Sequence, residues 1–391
     1  MQFIPAYITL NIIMAVIPNY LPLLLRGLGY NPGMVGVFLA IAEGAGILSP
    51  FLFGRFTDKY GKYRGSIIFA YFLPAAAALP LAFIVHPVIN AVLVAMLVVG
   101  YRSANPLIEA VTSISLGKTG NYGRIRIFGS IAYVCFLFLL QWIPVLRPDT
   151  PLNISIWTFL AALLAIVSTF FLPSNRAGQS TAPENQVSEI PVESTAVKSI
   201  WTPVFIIGLI SIALSRLAMT SIYSFFSLFL VDYMKWNAVG LMIGLSGIAE
   251  IPLIYFSHRL IKRFGAMPLL AFTSLMVALR LLLYAFFPFK AGIVAAQLLH
   301  CFCFGLFHPA AIAFISNSVP AKQRSFGMTL YLSFGWGLPT LIGNSIGGFI
   351  VDYTGYRSLF GYFSIFAVLG ALVYVVYRIA GYLCRQKNRL N

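Results

Sequence analysis

Long apolar runs alternate with short polar breaks along the whole chain. Twelve runs reach about 20 residues, the length that crosses a roughly 30 Å hydrocarbon core: 3–25, 34–53, 66–85, 88–116, 125–145, 154–172, 202–231, 239–257, 267–287, 292–319, 326–351 and 359–382. The pattern predicts an all-α polytopic membrane protein with twelve transmembrane helices. The first run begins almost at Met1, lacks a basic flank and leads into Pro-rich sequence. It therefore reads as a span and not as a cleaved signal. One extended polar segment, rich in Ser, Pro, Glu and Gln, interrupts the pattern at 174–199 and reads as a flexible cytoplasmic linker. It divides the chain into an N-terminal six-helix bundle, 1–173, and a C-terminal six-helix bundle with a short basic tail, 200–391.

Composition agrees with that pattern. Hydrophobic residues make up 60% of the 391, charged residues only 9%, and mean hydropathy is +0.89, far too apolar for a soluble fold of average usage. The net charge of +16 invites a nucleic-acid reading, but the distribution of the cations removes it. With the N-terminus inside, 18 Lys and Arg fall on the cytoplasmic side, against Arg26, Arg147, Lys235, Lys290 and Arg357 on the other. Such a bias sets orientation in a bilayer and implies no partner beyond the lipid. Both termini are then cytoplasmic, and the short loops suit a bacterial inner membrane; the protein is expected to function as a monomer. The four cysteines fall in or beside spans, and Cys301-x-Cys303 has neither metal spacing nor a second pair. They read as packing residues, and no metal or cofactor is expected.

Between the second and third runs lies Gly54-Arg-Phe-Thr-Asp-Lys-Tyr-Gly61-Lys-Tyr-Arg64, four cations and one anion within ten residues. Its glycines suit a tight turn between closely approaching helix ends. A lone carboxylate among cations there suits a switchable salt bridge or a cap. The stretch resembles the signature loop of the major facilitator superfamily, G-x-L-x-D-R-x-G-R-(K/R). Here Gly54, Phe56, Asp58, Lys59, Gly61 and Lys62 carry the match, with Lys for Arg twice. The halves also show weak self-similarity: Arg55 to Gly61 aligns with Arg259 to Gly265, and Ile41-Ala-Glu43 with Ile248-Ala-Glu250. Internal repeats of this kind mark transporters that move two bundles around a midplane site.

Ionisable groups at bilayer depth cost at least about 2.5–3.5 kcal/mol each and usually face a cavity or a partner. Glu43, Glu109, Glu250, Arg102, Arg216 and Arg280 fall within spans. Equal numbers of acids and arginines allow a bland reading, in which ion pairs simply lock helices together. A sharper one is a proton relay with a substrate clamp. Arg102, Asn105, Glu109 and Thr112 share one face of the fourth span, and Arg216, Thr220, Tyr223 and Ser227 one stripe of the seventh. Arg102 and Glu109 stand roughly 10 Å apart along the axis, so each needs a partner from another helix. The first span adds Tyr7 and Asn11, then Asn19 between Pro18 and Pro22. The tenth carries Gln297, His300 and His308, and imidazole titrates near neutral pH. Five glycines of the eleventh span, from Gly335 to Gly348, read as a close helix-packing surface.

Further stretches resemble the 3-phenylpropionate permease group, related to lactose permease and to nucleoside:proton symporters. They are Tyr122 to Ser130 opening the fifth span, Gly247 to Pro252 in the eighth, Ala278-Leu-Arg280 in the ninth, and Gln297 to Pro309 in the tenth. The resemblance implies a central cavity lined by the first, fourth, seventh and tenth helices, alternating access and proton coupling. By comparison with lactose permease, Glu250, Arg280 and His300 or His308 occupy the helices of a binding and coupling network. That permease has an acid just after its tenth-helix histidine, whereas Pro-Ala-Ala follows His308 and Cys-Phe-Cys follows His300. Glu250 or a fourth-span acid must then take that part. Met328 stands where the group often has Gln.

The expected activity is secondary transport by a non-enzyme, proton-coupled import of a small organic solute: an aromatic carboxylate, a sugar or a nucleoside. The proton is the coupling ion. Glu250 leads the proton sites because desolvation favours a neutral carboxyl, followed by Glu109, His300 and His308. Asn11, Asn19, Arg102, Asn105, Arg216, Tyr223, Arg280 and Gln297 are the expected substrate contacts, the arginines for their bidentate donors. Tyr20, Tyr223 and Trp336 supply walls. Asp58, Lys62, Arg124 and Arg126 form a cytoplasmic gate, with Gly54, Lys59 and Gly61 completing the loop. Two rivals stand beside this reading. A drug:proton exporter typically carries G-x-x-x-G-P-x-x-G-G in the fifth span, where only Gly129 is found. A non-transporting membrane receptor would tolerate Glu250→Gln. A membrane enzyme lacks a nucleophile–base pair or metal-spaced cluster in the sequence.

Overall fold

The computed structural model describes residues 2–116, 122–173, 200–320 and 323–390. The segment read as a linker lies outside them, as do Lys118, Lys322, the side chains of Asp58 and Arg124, and all side chains beyond Ile379. The described elements are helical: α1 Ile4–Gly27, α2 Pro32–Tyr60, α3 Tyr63–Phe83, α4 Pro87–Leu116, α5 Tyr122–Trp142, α6 Pro151–Thr169, α7 Pro203–Leu228, α8 Val239–Phe264, α9 Ala266–Phe286, α10 Lys290–Leu298, α11 Phe307–Ser318, α12 Arg324–Leu330, α13 Leu338–Thr354 and α14 Tyr356–Leu390. π turns follow α7 at Phe229–Tyr233, lie between α10 and α11 at Cys301–Leu306, and join α12 to α13 at Tyr331–Gly337.

Eleven of these, counting α7 with its π turn and α10 with α11, are long and apolar enough to cross a membrane. The remaining expected span, 326–351, is helical as α12, its π turn and α13 but falls short of that measure. Gly, Ser, Thr, Pro and Asn dilute its apolar content.

The charged stretch from Gly54 departs from the expected turn. α2 continues through Gly54 to Tyr60, and the helical ladder persists to the Gly61 N–H, which donates to the Thr57 carbonyl at 2.7 Å. Only Gly61 takes a positive φ, +62°, so the turn shrinks to Gly61 and Lys62. Gly265, its counterpart in the internal alignment, takes φ +84° between α8 and α9. The weak sequence repeat therefore corresponds to a repeated helix–glycine–helix corner, at positions where a side chain would be strained.

Packing divides the chain into two compact units. One holds the described residues within 1–17, 45–133 and 152–199, and the other those within 18–44, 134–151 and 200–391. In the first, α3 and α4 lie side by side, with Gly100 against Pro74 and the Ala70 carbonyl. In the second, α14 packs along α7 and α9, and an aromatic cluster of Phe226, Phe229, Tyr284 and Phe360 fills the space between them.

That second unit includes the Pro32 end of α2, which lies on α13 glycine to glycine. A Cβ on Gly36 would fall 3.0 Å from the Gly348 Cα, and one on Gly348 would strike the Pro32 carbonyl oxygen. Nearby, the Gly33 N–H donates to Asp352 Oδ2 at 2.9 Å, placing a carboxylate at the N-terminus of α2, where the helix dipole favours it. Asp232 accepts from Arg26 Nε and from the Tyr356 hydroxyl, each at 3.0 Å. The glycines of α13 serve two partners: Gly343 and Gly347 lie against Thr220 and Phe225 of α7, and Gly348 against α2. Gly348→Val should lower thermal stability in detergent by the roughly 1–3 kcal/mol of an overpacked core site. Gly361→Ala, with open space around it, should change it by less than about 0.5 kcal/mol. Equal melting temperatures for the two variants would show that the crossing is not tight.

Candidate functional site

The second unit gathers the ionisable groups of α7, α8, α9 and the α10–α11 helix into one cluster. Its frame is a row of rings. His300 stacks on Phe304 with centroids 5.7 Å apart and planes 4° from parallel, and Phe304 stacks on His308 at 5.6 Å and 3°. In a regular α-helix, residues at i, i+4 and i+8 drift by roughly 40° per step, so a row of rings at that spacing slants across the helix face. The π turn at Cys301–Leu306 widens the helix between them and brings the rings into line. The same turn presents Gly305 to α8, where a Cβ would lie 3.0 Å from the Glu250 carbonyl oxygen. The absent side chain lets α8 come close enough for Glu250 to reach His300.

Arg280 of α9 organises the polar contacts. Only 2% exposed, it donates from Nη2 to Gln297 Oε1 at 2.6 Å and from Nε to the Tyr284 hydroxyl at 3.1 Å, and its Nη1 lies 2.7 Å from His300 Nδ1. On the far side of the imidazole, His300 Nε2 faces Glu250 Oε2 at 3.5 Å. That carboxylate oxygen is buried and has no hydrogen-bond partner within the protein. A guanidinium, an imidazole and a carboxylate therefore stand in series, contributed by three different elements.

Arg216 of α7 is held differently. Its guanidinium lies 3.4 Å from the Trp336 ring centroid and 4.5 Å from that of Tyr223. It is 4% exposed, and its Nε and Nη1 have no hydrogen-bond partner within the protein. Desolvated cation–π contacts are worth about 2 kcal/mol each, enough to hold the charge. Two buried donors without acceptors cost about 1–3 kcal/mol apiece. The stacking therefore places the cation, and the donors are left for something else. Tyr223 also meets His300 edge to face at 6.4 Å, linking the two arginine environments.

Tertiary structure thus brings together seven of the expected residues: Arg216, Tyr223, Glu250, Arg280, Gln297, His300 and His308. Of the expected walls, Trp336 lies under Arg216, whereas Tyr20 is buried with its hydroxyl beside Gly240 of α8. Thr220 donates to the Arg216 carbonyl and packs on Gly343, so it seats α7 against α13. Met328 packs against the apolar core formed around Phe205, Phe314 and Tyr331. Asn19, in the same unit, is half-buried on α1, and Glu43 is buried on α2.

The remaining candidates lie in the first unit and are placed separately. The Asn11 side chain donates to the Tyr7 carbonyl at 2.9 Å and lies against Gly129 of α5. Arg102 lies along Gly46 and Val98, and Asn105 is half-buried one turn further along α4. Glu109 Oε1 is 4.0 Å from Arg126 Nη1, with both side chains well exposed. Lys59 and Lys62 are exposed. Two contributors escaped the sequence reading. Tyr284, four residues after Arg280, was within reach of a helical-spacing rule. Tyr331, whose hydroxyl lies 3.2 Å from His308 Nδ1, sits in a π turn whose geometry no spacing rule anticipates.

The model of the MFS_1 like family matches residues 8–373. An uncharacterized transporter of Bacillus subtilis strain 168, YwbF, is 26% identical over 269 residues, 68% of this chain and 65% of that protein. The maltose permease of Geobacillus stearothermophilus is 25% identical over 256 residues, 65% of this chain and 62% of the permease. The chain thus spans a little under two thirds of the length of these two relatives. Among solved structures, a point mutant of the nucleoside transporter NupG superposes with a TM-score of 0.81 at 16% identity, covering 96% of this chain and 99% of that one, which establishes a shared fold. The chain belongs to the MFS_1 like family and is a multi-pass membrane protein.

Proposed function

We propose that this protein is a proton-coupled symporter that imports a small organic monoanion, an aromatic carboxylate, by alternating access, with Glu250 as the proton site. In this reading the chain spans a bacterial inner membrane twelve times as two six-helix bundles, with both termini in the cytoplasm. The observation that carries the substrate class is the Arg216 guanidinium, buried between Trp336 and Tyr223 with two donors unmet. A carboxylate is the small group that satisfies both donors and the charge at once, through paired N–H···O contacts. The flanking rings, with Phe304 6.1 Å from Trp336, offer aromatic faces to an aromatic body. Proton coupling rests on Glu250. It is the acid of the cluster, with a buried oxygen open to a proton, and its protonation as a monoanion enters would keep the net charge of the site constant.

The test uses purified protein in liposomes, with radiolabelled hippurate, glucuronate, maltose and uridine as probes and protein-free liposomes as the baseline for acid leakage. Hippurate should accumulate when the lumen is alkaline relative to the medium, and maltose and uridine should not. Uptake of maltose or uridine without hippurate would overturn the anion reading. Hippurate entry that ignores the pH gradient would overturn proton coupling while leaving the substrate class standing.

A further inference from the structure

The direction of the hydrogen bonds around Arg280 restricts what His300 can do. An arginine guanidinium carries five N–H donors and no acceptor, and it does not lose its charge in proteins. At 2.7 Å from Arg280 Nη1, His300 Nδ1 must therefore be the acceptor. A neutral imidazole with its acceptor at Nδ1 carries its proton on Nε2, the nitrogen that faces Glu250 Oε2. Protonating Nδ1 would set two donors and two positive charges against each other at that distance. Arg280 cannot swing aside at little cost, because Gln297 Oε1 and the Tyr284 hydroxyl hold its other nitrogens in a site where it is 2% exposed.

Other neighbours act in the same sense. From α7, Arg216 adds a second fixed cation, and Tyr223 sets its ring edge to face against the imidazole. From its own helix, the Phe304 ring covers one face of His300. The acid that faces the imidazole, Glu250, is the only group in this row that accepts and does not donate. Donor polarity thus runs one way, from Arg280 into His300 Nδ1, which turns the imidazole N–H toward the unpartnered Glu250 oxygen 3.5 Å away, and the place for a proton lies there.

We propose that His300 is a positioning residue and not a proton carrier: Arg280 locks it as the neutral Nε2–H tautomer, and in that form it aims an N–H at Glu250 and fixes where that carboxylate stands. This rests on the proposed proton site at Glu250 and removes His300 from the candidates for it. It also explains why a histidine can occupy a coupling cluster without bringing a second titration.

Nitrogen-15 NMR of histidine-labelled protein in nanodiscs tests the assignment directly, with the His300 signals identified by their absence in His300→Asn. In the wild type, His300 should show the neutral Nε2–H pattern at about pH 8 and keep it down to about pH 5, the window in which an ordinary histidine becomes charged. Imidazolium signals, or a proton on Nδ1, within that window would overturn the proposal. This spectrum needs no substrate, so it stands apart from any failure of the transport reading. A second measurement uses His300→Asn, which keeps an acceptor for Arg280 and cannot titrate. Its hippurate accumulation should fall below wild type, because the N–H that fixes Glu250 is lost, yet it should still rise with the imposed pH gradient. Loss of the pH dependence with hippurate exchange intact would show that His300 does carry the proton.

Discussion

Glu250→Gln should abolish accumulation driven by a pH gradient while leaving solute exchange in place. Glutamine keeps the length of the side chain and an oxygen for the His300 N–H, so the α8 crossing at Gly305 should survive. What disappears is the capacity to change charge. With one proton carried per solute, each pH unit supports up to about tenfold accumulation, the equivalent of 1.4 kcal/mol. In the variant that ratio should fall to one at every gradient. Counterflow, in which external label exchanges for unlabelled solute inside, needs no net proton movement and should persist. Tracer uptake in liposomes under an imposed gradient, beside counterflow at equal pH, separates the two. Gradient-driven accumulation in the variant would move the proton site elsewhere, with Glu109 of α4 as the next acid to replace. Loss of counterflow as well as accumulation, with the protein folded, would show that Glu250 is needed for binding itself.

Arg216→Gln carries the second large effect. Its guanidinium is held by rings and not by an acid, so its removal strands no buried carboxylate and should leave the fold intact. Hydrogen bonds to charged groups are worth about 1.5–3 kcal/mol, so losing a paired contact should weaken carboxylate binding by roughly 10- to 150-fold. Arg216→Lys should recover only part of this, because an ammonium offers a point charge without the planar pair of donors. Ligand-induced stabilisation against heat, measured with hippurate for wild type and both variants, gives the order directly. Unchanged affinity in Arg216→Gln would remove Arg216 from the site. Arg280→Gln should behave differently, since it cuts three contacts at once and leaves the buried Gln297 and His300 acceptors unmet. Removing one partner of a buried charge cluster costs about 3–5 kcal/mol, so that variant should show its defect first as lost stability.

The contrast between the two arginines was not legible in the chain. Both appear in the sequence as lone cations inside apolar runs, and spacing alone gives them the same reading. Packing separates them: α9 sets Arg280 among acceptors, and the π turn after α12 slides Trp336 beneath Arg216. The two histidines tell a similar story. Eight positions apart, they would lie along a slanting row of a regular helix, and the π turn between them sets both rings nearly parallel to Phe304. The charged stretch after Gly54 shows the opposite limit, since its composition suggested a longer turn than the backbone makes. Helical hydrogen bonding continues until a residue leaves helical φ, and here that residue is Gly61.

The sequence by itself determined that this is an all-helical membrane protein, because apolar length against bilayer thickness is a property of the chain alone. It also marked the acids and arginines within its spans, because charge at that depth stands out whatever surrounds it. It determined the family as well, through a short charged signature and a faint internal repeat. Only the tertiary structure decided which of those charges meet. Contact depends on π turns that re-aim side chains and on glycines that admit close crossings, and both are set by packing between segments far apart in sequence.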